Sequence, residues 1–369
     1  MPLPNWEKGM LDIHFINTGC GECEYIIMPD GTTLLVDAGE NNANDPRHVK
    51  PRPNNSKTPG EWIVEYINDM SPEINKGIDY ILVSHFHSDH CGAIAKVAES
   101  LNVRKIIDRG YPTYDFIVNQ DDKTVKRYLR YLLQSPATRK IERFDPGSDK
   151  QFIPLHCDSL SVPFSIRNVY GNGYLWTGVD NEVRFLFPDI NSIPKYDMPQ
   201  ENSLSCVIKI QYGDFSFYTG GDVTGYPKPG RSNFHDIETP MADIIGHIDV
   251  LCVNHHGYNN ATNEKFLRAT TPRVLIIQAS DALHPDHSVM ERMLSGYIYK
   301  GERDIFSTNL HPSSRIVIGK NAERMKSTQG HIVVRVNESG TEYTVYVLND
   351  SSNNRYIKKT YGPYKCGLN

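Results

Sequence analysis

The side chains best suited to chemistry lie in one short run. His85-Phe86-His87-Ser88-Asp89-His90 packs three imidazoles and a carboxylate into six positions, directly after the apolar segment Tyr80-Ile81-Leu82-Val83. In an extended loop, residues two apart face the same side. His85 and His87 are therefore placed to grip one ion, while Asp89 and His90, further round the turn, address a second. Imidazole nitrogen and carboxylate oxygen suit zinc, and manganese and iron also accept this donor set. A buried cluster of this kind without an ion would be costly. An exposed polar loop would have no reason to follow a buried strand.

A two-ion site needs donors from elsewhere, and two later stretches offer them at strand ends. Thr219-Gly220-Gly221-Asp222 follows Phe215-Ser216-Phe217-Tyr218 and leaves Asp222 on a glycine-made turn, where its carboxylate can bridge two ions. Val253-Asn254-His255-His256-Gly257 follows another apolar run, and either His255 or His256 can complete the second position. Two ions roughly 3.5 to 4 Å apart hold a water as hydroxide near neutral pH and stabilise the entering and leaving oxygens of a phosphodiester.

The elements that position these groups follow from hydrophobic patterning. Leu11 to Ile16, Tyr25 to Met28 and Thr33 to Val36 read as strands separated by Thr18-Gly19-Cys20-Gly21 and Pro29-Asp30-Gly31. Thr58-Pro59-Gly60-Glu61 has the form of a capping box, and Ile63, Tyr66, Ile67 and Met70 follow at helical spacing. A strand over 80–83, the polar loop and a helix over 92–100 come next. Strands at 251–253, 274–277 and 304–306 alternate with helices near 263–269 and 288–294. Between the halves, 184–187, 206–210 and 215–218 read as strands, and a hairpin is expected at 330–350. Strand pairs and strand–helix units in both halves predict two sheets covered by helices, an α/β sandwich.

Composition bounds the function classes. The chain has 369 residues with 39 basic and 44 acidic side chains, a formal net charge of −5, so it lacks the overall basic excess of a nucleic-acid coat protein. Its seven scattered cysteines suit reduced thiols. No apolar run approaches the roughly 20 residues that span a bilayer. The N-terminal segment has no apolar signal core, so a cytoplasmic location is expected, with a trimmed signal as the alternative. Cys20 and Cys23 have the spacing of a redox pair but lie in a glycine-rich turn and are read as a decoy. Over 124–140, Lys126, Arg127, Arg130, Arg139 and Lys140 alternate with Tyr128 and Tyr131, a pattern compatible with nucleic acid. Val125, Tyr128, Leu129 and Leu132 nevertheless form an apolar helical face, which makes the basic residues the solvated side.

LLVDAG at 34–39, SHFHSDH at 84–90, TGGD at 219–222 and VNHHG at 253–257, in that order, resemble the metallo-β-lactamase superfamily. INTGCGE at 16–22, ENSLSCVIKIQYGDFSFYTGGD at 201–222 and VNHHG further resemble the soluble domain of competence-type DNA-uptake proteins (ComEC/Rec2). The resemblance implies a four-layer αββα sandwich forming one domain over 1–369, with an insertion around 110–200. It implies that His85, His87 and Asp222 hold one ion, and that Asp89, His90, Asp222 and His255 hold the other, with His256 the alternative to His255. Asp37 is implied to orient the metal-binding loop. Most superfamily members have another histidine just before the strand leading to the bridging aspartate. Here Glu201-Asn202-Ser203 stands there, leaving the first position with three protein donors.

Asp89 and His284 are the candidate catalytic side chains. His284, in Leu283-His284-Pro285-Asp286-His287, resembles a late His-Pro element and is placed to contact phosphate or protonate a leaving oxygen; His287 is a weaker candidate. Asn202, Tyr258, Asn259 and Asn260 are expected near the ions. The implied cofactor is two divalent metal ions, most readily zinc. The implied activity is phosphodiester hydrolysis, of a nucleic acid or a small ester. A β-lactam, lactone or thioester hydrolase and a non-catalytic nucleic-acid-binding module are the alternatives.

Overall fold

A computed structural model describes residues 1–19, 21–134, 139–157, 159–278 and 280–367. Two mixed sheets face one another. The first contains β1 (Leu11–Phe15), β2 (Glu24–Ile27), β3 (Thr33–Val36), β4 (Ile78–Val83), β5 (Val103–Asp108), β6 (Lys140–Arg143), β15 (His331–Val336), β16 (Glu342–Leu348) and β17 (Ile357–Lys365), in the order β17-β16-β15-β1-β2-β3-β4-β5-β6. The second contains β7 (Phe164–Gly171), β8 (Tyr174–Trp176), β9 (Val183–Phe185), β10 (Val207–Tyr212), β11 (Phe215–Thr219), β12 (Val250–Cys252), β13 (Val274–Ile277) and β14 (Asp304–Ser307), in the order β14-β13-β12-β11-β10-β7-β8-β9.

A core between the sheets joins Leu11, Ile13, Phe15, Leu34 and Leu82 of the first to Ile208, Phe215, Phe217, Val250 and Ile276 of the second. Outside the first sheet pack α1 (Pro59–Met70), α3 (Ile94–Ser100) and α4 (Lys123–Leu133), with the single turn α2 (Ser88–Cys91) between β4 and α3. Outside the second pack α5 (Glu238–Ile245), α6 (Glu264–Thr270), α7 (His287–Leu294) and α8 (Pro312–Ile318). This is the expected four-layer αββα sandwich.

The strands that carry the site are those buried on both faces. β3, β4, β5 and β6 run parallel in one sheet, and β11, β12, β13 and β14 run parallel in the other. The near-continuous apolar runs of β3, β4, β11, β12 and β13 follow from coverage on both sides. Polar loops leave their carboxyl ends along a common edge, the usual place for a site in such sheets.

The stretch 110–200, expected as an insertion, supplies α4 and β6 to the first sheet and β7, β8 and β9 to the second. At the C-terminal end, β15 and β16 pair antiparallel, and β17 adds a further strand against β16. In α4, Val125, Tyr128, Tyr131 and Leu132 are buried and the basic residues point outward, as the solvated-side reading requires. Cys20 lies outside the described residues, so the Cys20–Cys23 reading goes with it.

Phe217 sits fully buried in the inter-sheet core with its ring edge-on to Phe15, at 5.9 Å between centroids. Phe217→Ala should cost about 3–5 kcal/mol, seen as a lower urea midpoint with an unchanged slope.

Candidate metal centre

Five strand-end loops build the site. Asp37 follows β3, Ser84 to His90 follow β4, Asp222 follows β11, His255 and His256 follow β12, and Ser280 and His284 follow β13. The close approach of these loops needs glycine at two places. Gly21 has φ +117°, and a Cβ there would lie 2.1 Å from the Asp89 carbonyl oxygen. Gly221 has φ +51°, and its Cβ would lie 2.8 Å from Ser84 Oγ. Larger residues would push the turn carrying Asp222 off the His85–His90 loop.

Asp222 is the meeting point. Its Oδ1 lies 3.1 Å from His90 Nε2 and 3.5 Å from His256 Nε2, and Asp89 Oδ2 lies 3.2 Å from His256 Nε2. Its Oδ2 lies 3.7 Å from His85 Nε2 and 3.5 Å from His255 Nε2. His87 Nδ1 is 3.1 Å from His85 Nε2. Tightly packed groups of potential ligands gather around Asp222 and His90 and include His85, Asp89, His256 and Glu22. His87 and His255 stand on the outer side, beside His85 and Asp222 Oδ2 respectively.

Outer partners fix which imidazole nitrogens face inward. His256 Nδ1 lies 2.7 Å from the Gln278 carbonyl, which can only accept, so Nδ1 carries the proton and Nε2 turns to the centre. His90 Nδ1 is 2.7 Å from Asp37 Oδ2. The Ser84 hydroxyl donates to the same Asp37 oxygen at 2.5 Å, so its Oγ accepts from His85 Nδ1 at 3.1 Å. His255 Nδ1 is 2.7 Å from Asn260 Oδ1, and Asn202 Nδ2 donates to His255 Nε2 at 3.0 Å. Each of these histidines thus presents Nε2 to the centre, the arrangement that outer-shell partners impose on metal-binding imidazoles.

His90 Nε2 and His256 Nε2 lie 3.2 Å apart, and two neutral rings so oriented would set lone pair against lone pair. Asp222 Oδ1 is buried and has no hydrogen-bond partner. A cation or protons must sit among these atoms. Four donors about 2.0–2.1 Å from a tetrahedral zinc lie roughly 3.4 Å from one another. The separations of His90 from Asp222 and His256, and of His256 from Asp222 and Asp89, are 3.1–3.5 Å and match that spacing, so these residues fit a divalent ion.

Electrostatics point the same way. Burial opposes ionisation of Asp222, but His255, His90 and His256 outweigh it and hold the carboxyl well below its ordinary range. Burial disfavours charge on His256 too, yet Asp222 and Asp89 push it up to about 9. His90 is likewise raised, Asp222 and Asp37 overcoming its burial. His85 and His284 are pushed well down by burial and by neighbouring histidines. A metal ion bound here would displace protons from His90 and His256.

Several contributors were not singled out from the sequence. Glu22 is buried behind His90 and His256, 3.7 and 3.5 Å from their Nδ1 atoms, and burial raises it to about 7. Glu24 is buried beside it, accepting from Thr219 and Gln278. Glu201 accepts from the Phe86 backbone N–H at 2.9 Å and forms a two-pronged ion pair with buried Arg109, which also bonds the carbonyls of Phe116 and Ile117. The segment between His85 and His87 is thereby pinned from the second sheet's side. Glu22 and Glu201 stood inside motifs already quoted, but their partners lie far away in sequence.

His284 stacks on His256 with centroids 4.7 Å apart, and Ser280 Oγ links His284 Nδ1 (3.1 Å) to Asp89 Oδ2 (3.2 Å). Tyr258 and Asn260 are also brought to the site, against His255. His287 is exposed and pairs with Glu291.

Residues 65–149 match the sequence profile of the Metallo-beta-lactamase superfamily. That match, with the two facing sheets and the motif order, bears out the resemblance to this superfamily of metal-dependent hydrolases, and the chain has its fold. Among curated proteins, Recombination protein 2 of Haemophilus influenzae is 32% identical over 126 residues, a match spanning 33% of this chain and only 14% of that protein. Similar solved structures include the diiron β-hydroxylase CmlA from Streptomyces venezuelae (TM-score 0.41, 15% identity, 91% of this chain and 55% of that one). Unliganded yeast PDE1 (0.42, 11%, 88% and 99%) and a metallo-beta-lactamase from Cronobacter sakazakii (0.35, 14%, 68% and 78%) are others. Among the described residues, no helix is long and apolar enough to cross a membrane.

If Asp222 holds the proton on His256, Asp222→Asn should lower the His256 pKa from about 9 in metal-stripped protein. The ring would then lose its charge at a lower pH. Histidine-resolved NMR titration reads this directly.

Proposed function

We propose that this protein is a two-ion metallohydrolase acting on a phosphodiester, with a nucleic acid as the favoured substrate class. The observation that carries the reading is the single buried carboxylate of Asp222, whose two oxygens face separate sets of inward-pointing imidazoles. Asp89 and Asp222 Oδ1 with His90 and His256 fit one ion, and Asp222 Oδ2 with His85 and His87 supports a second. Bound there, zinc or a similar divalent pair would make water nucleophilic near neutral pH and neutralise phosphate oxygens. The likeness to a protein named for recombination supports a nucleic-acid substrate.

The chain's own groups have defined tasks in this reading. Asp37 orients His90 directly and His85 through Ser84. Asp89, whose Oδ2 is held by the Ser280 hydroxyl at 3.2 Å, accepts a proton from the entering water. His284 donates its Nδ1 hydrogen to Ser280, which leaves Nε2 as the free nitrogen. Burial and the neighbouring histidines keep it neutral in the resting site; an arriving phosphate anion raises its proton affinity, so Nε2 takes up a proton from solvent and passes it to the leaving oxygen. Arg109 and Glu201 keep the His85–His87 backbone in place while charge shifts beside it.

Zinc- or manganese-loaded protein should hydrolyse bis(p-nitrophenyl) phosphate and single-stranded DNA. Asp222→Ala should reduce kcat by about 1,000-fold or more, the scale of several kcal/mol of lost charge stabilisation. Turnover of nitrocefin or a thioester without phosphodiester cleavage would replace this reading with acyl hydrolysis. Tight DNA binding without cleavage in zinc, manganese or magnesium would replace it with a binding module.

A further inference from the structure

The sequence lacks the histidine expected just before β10, where Glu201-Asn202-Ser203 stands instead. The structure brings a different imidazole to that side of the centre. His255 Nε2 lies 3.5 Å from Asp222 Oδ2, the oxygen that also faces His85, whereas His256 Nε2 lies 3.5 Å from Oδ1 and 3.2 Å from Asp89 Oδ2. Two adjacent residues thus address the two oxygens of one carboxylate.

The backbone is bent to achieve this. His255 (φ 50°, ψ 43°) and His256 (φ 53°, ψ 14°) are both left-handed, a conformation that ordinary side chains adopt reluctantly. Left-handed non-glycine residues persist only where the surrounding structure holds them, and they cluster at functional sites. Each ring is also anchored at its far nitrogen, His255 by Asn260 and His256 by the Gln278 carbonyl. His255 is therefore not a spacer beside the ligating residue: its Nε2 lies 3.5 Å from Asp222 Oδ2 and accepts from Asn202 Nδ2 at 3.0 Å, a hydrogen bond that an ion at this position would replace. Beside it Asn202 Oδ1 is buried with no hydrogen-bond partner, a spare oxygen donor next to the same position.

We propose that His255 is the missing third histidine of the first ion position, so that the turn Asn254–Gly257 supplies one imidazole to each ion. The first position is then His85, His87, Asp222 Oδ2 and His255, and the second is Asp89, His90, Asp222 Oδ1 and His256. This rests on the two-ion reading above. It changes the character of the first position from an open site with three protein donors to one with a full set of protein donors, which suits tight zinc binding.

Glycine separates the imidazole from the backbone, since it adopts φ near +50° without strain. Zinc content is measured after equilibrium dialysis against buffered zinc, on wild type, His255→Gly and His256→Gly. Wild type should hold two zinc ions. His255→Gly should hold one under the same conditions, its first-position affinity reduced by more than about 100-fold, while metal-stripped His255→Gly keeps the far-UV circular dichroism spectrum of wild type. If wild type holds two ions and His255→Gly also holds two with unchanged affinities, the assignment of His255 is overturned and the two-ion reading stands. If wild type holds fewer than two at saturation, the two-ion reading itself falls. A second measurement needs no substitution. In cadmium-113-loaded wild type, His255 Nε2 should show scalar coupling to a different cadmium signal from His256 Nε2. Absence of that coupling, or coupling of both rings to one signal, overturns the assignment.

Discussion

A buried carboxylate has to be neutralised, and the arrangement of this molecule around Asp222 follows from that requirement. An isolated anion in a protein interior costs several kcal/mol. The chain meets this cost with imidazoles brought from separate loops rather than with a lysine or arginine. An arginine would close the site permanently, because it cannot give up its proton. Imidazoles hold protons that a divalent ion can displace, so the same geometry serves the protein with and without metal.

That requirement reaches outward through hydrogen bonds. Asp37 takes His90 and Ser84, Ser84 takes His85, the Gln278 carbonyl takes His256 and Asn260 takes His255. These outer partners come from the ends of β3 and β13 and from the β4 and 254–263 loops, so both sheets must be in register before the rings are aligned. The Arg109–Glu201 pair does the same for the backbone of the His85–His87 loop. Sandwich packing between the sheets is thus a condition for the site and not merely its scaffold.

Much of this was legible in the sequence because the donors sit next to apolar runs that end in polar turns. His85 to His90 follow β4, Asp222 follows β11 and the histidine doublet follows β12, so ligand type and strand-end placement can be read together. What could not be read depends on distant pairing or on unusual backbone. Glu22 and Glu201 look like ordinary surface acids until the partners of each appear across the fold. The placement of His255 Nε2 beside Asp222 Oδ2 and of His256 Nε2 beside Oδ1 depends on two left-handed residues, which no local pattern announces for histidine. The strands β5, β6, β7, β8 and β17 also lie outside the strands read from the sequence. β17 is largely exposed and carries Gly362-Pro363, so it lacks the apolar alternation that marked the other strands.

The most direct measurement is anomalous diffraction at the zinc absorption edge, on crystals of the full chain equilibrated with zinc. Two anomalous peaks are expected, one beside each oxygen of Asp222, with His90 and His256 at one peak and His85 at the other. A single peak at the centre, or two peaks that do not share the Asp222 carboxylate, would contradict that arrangement.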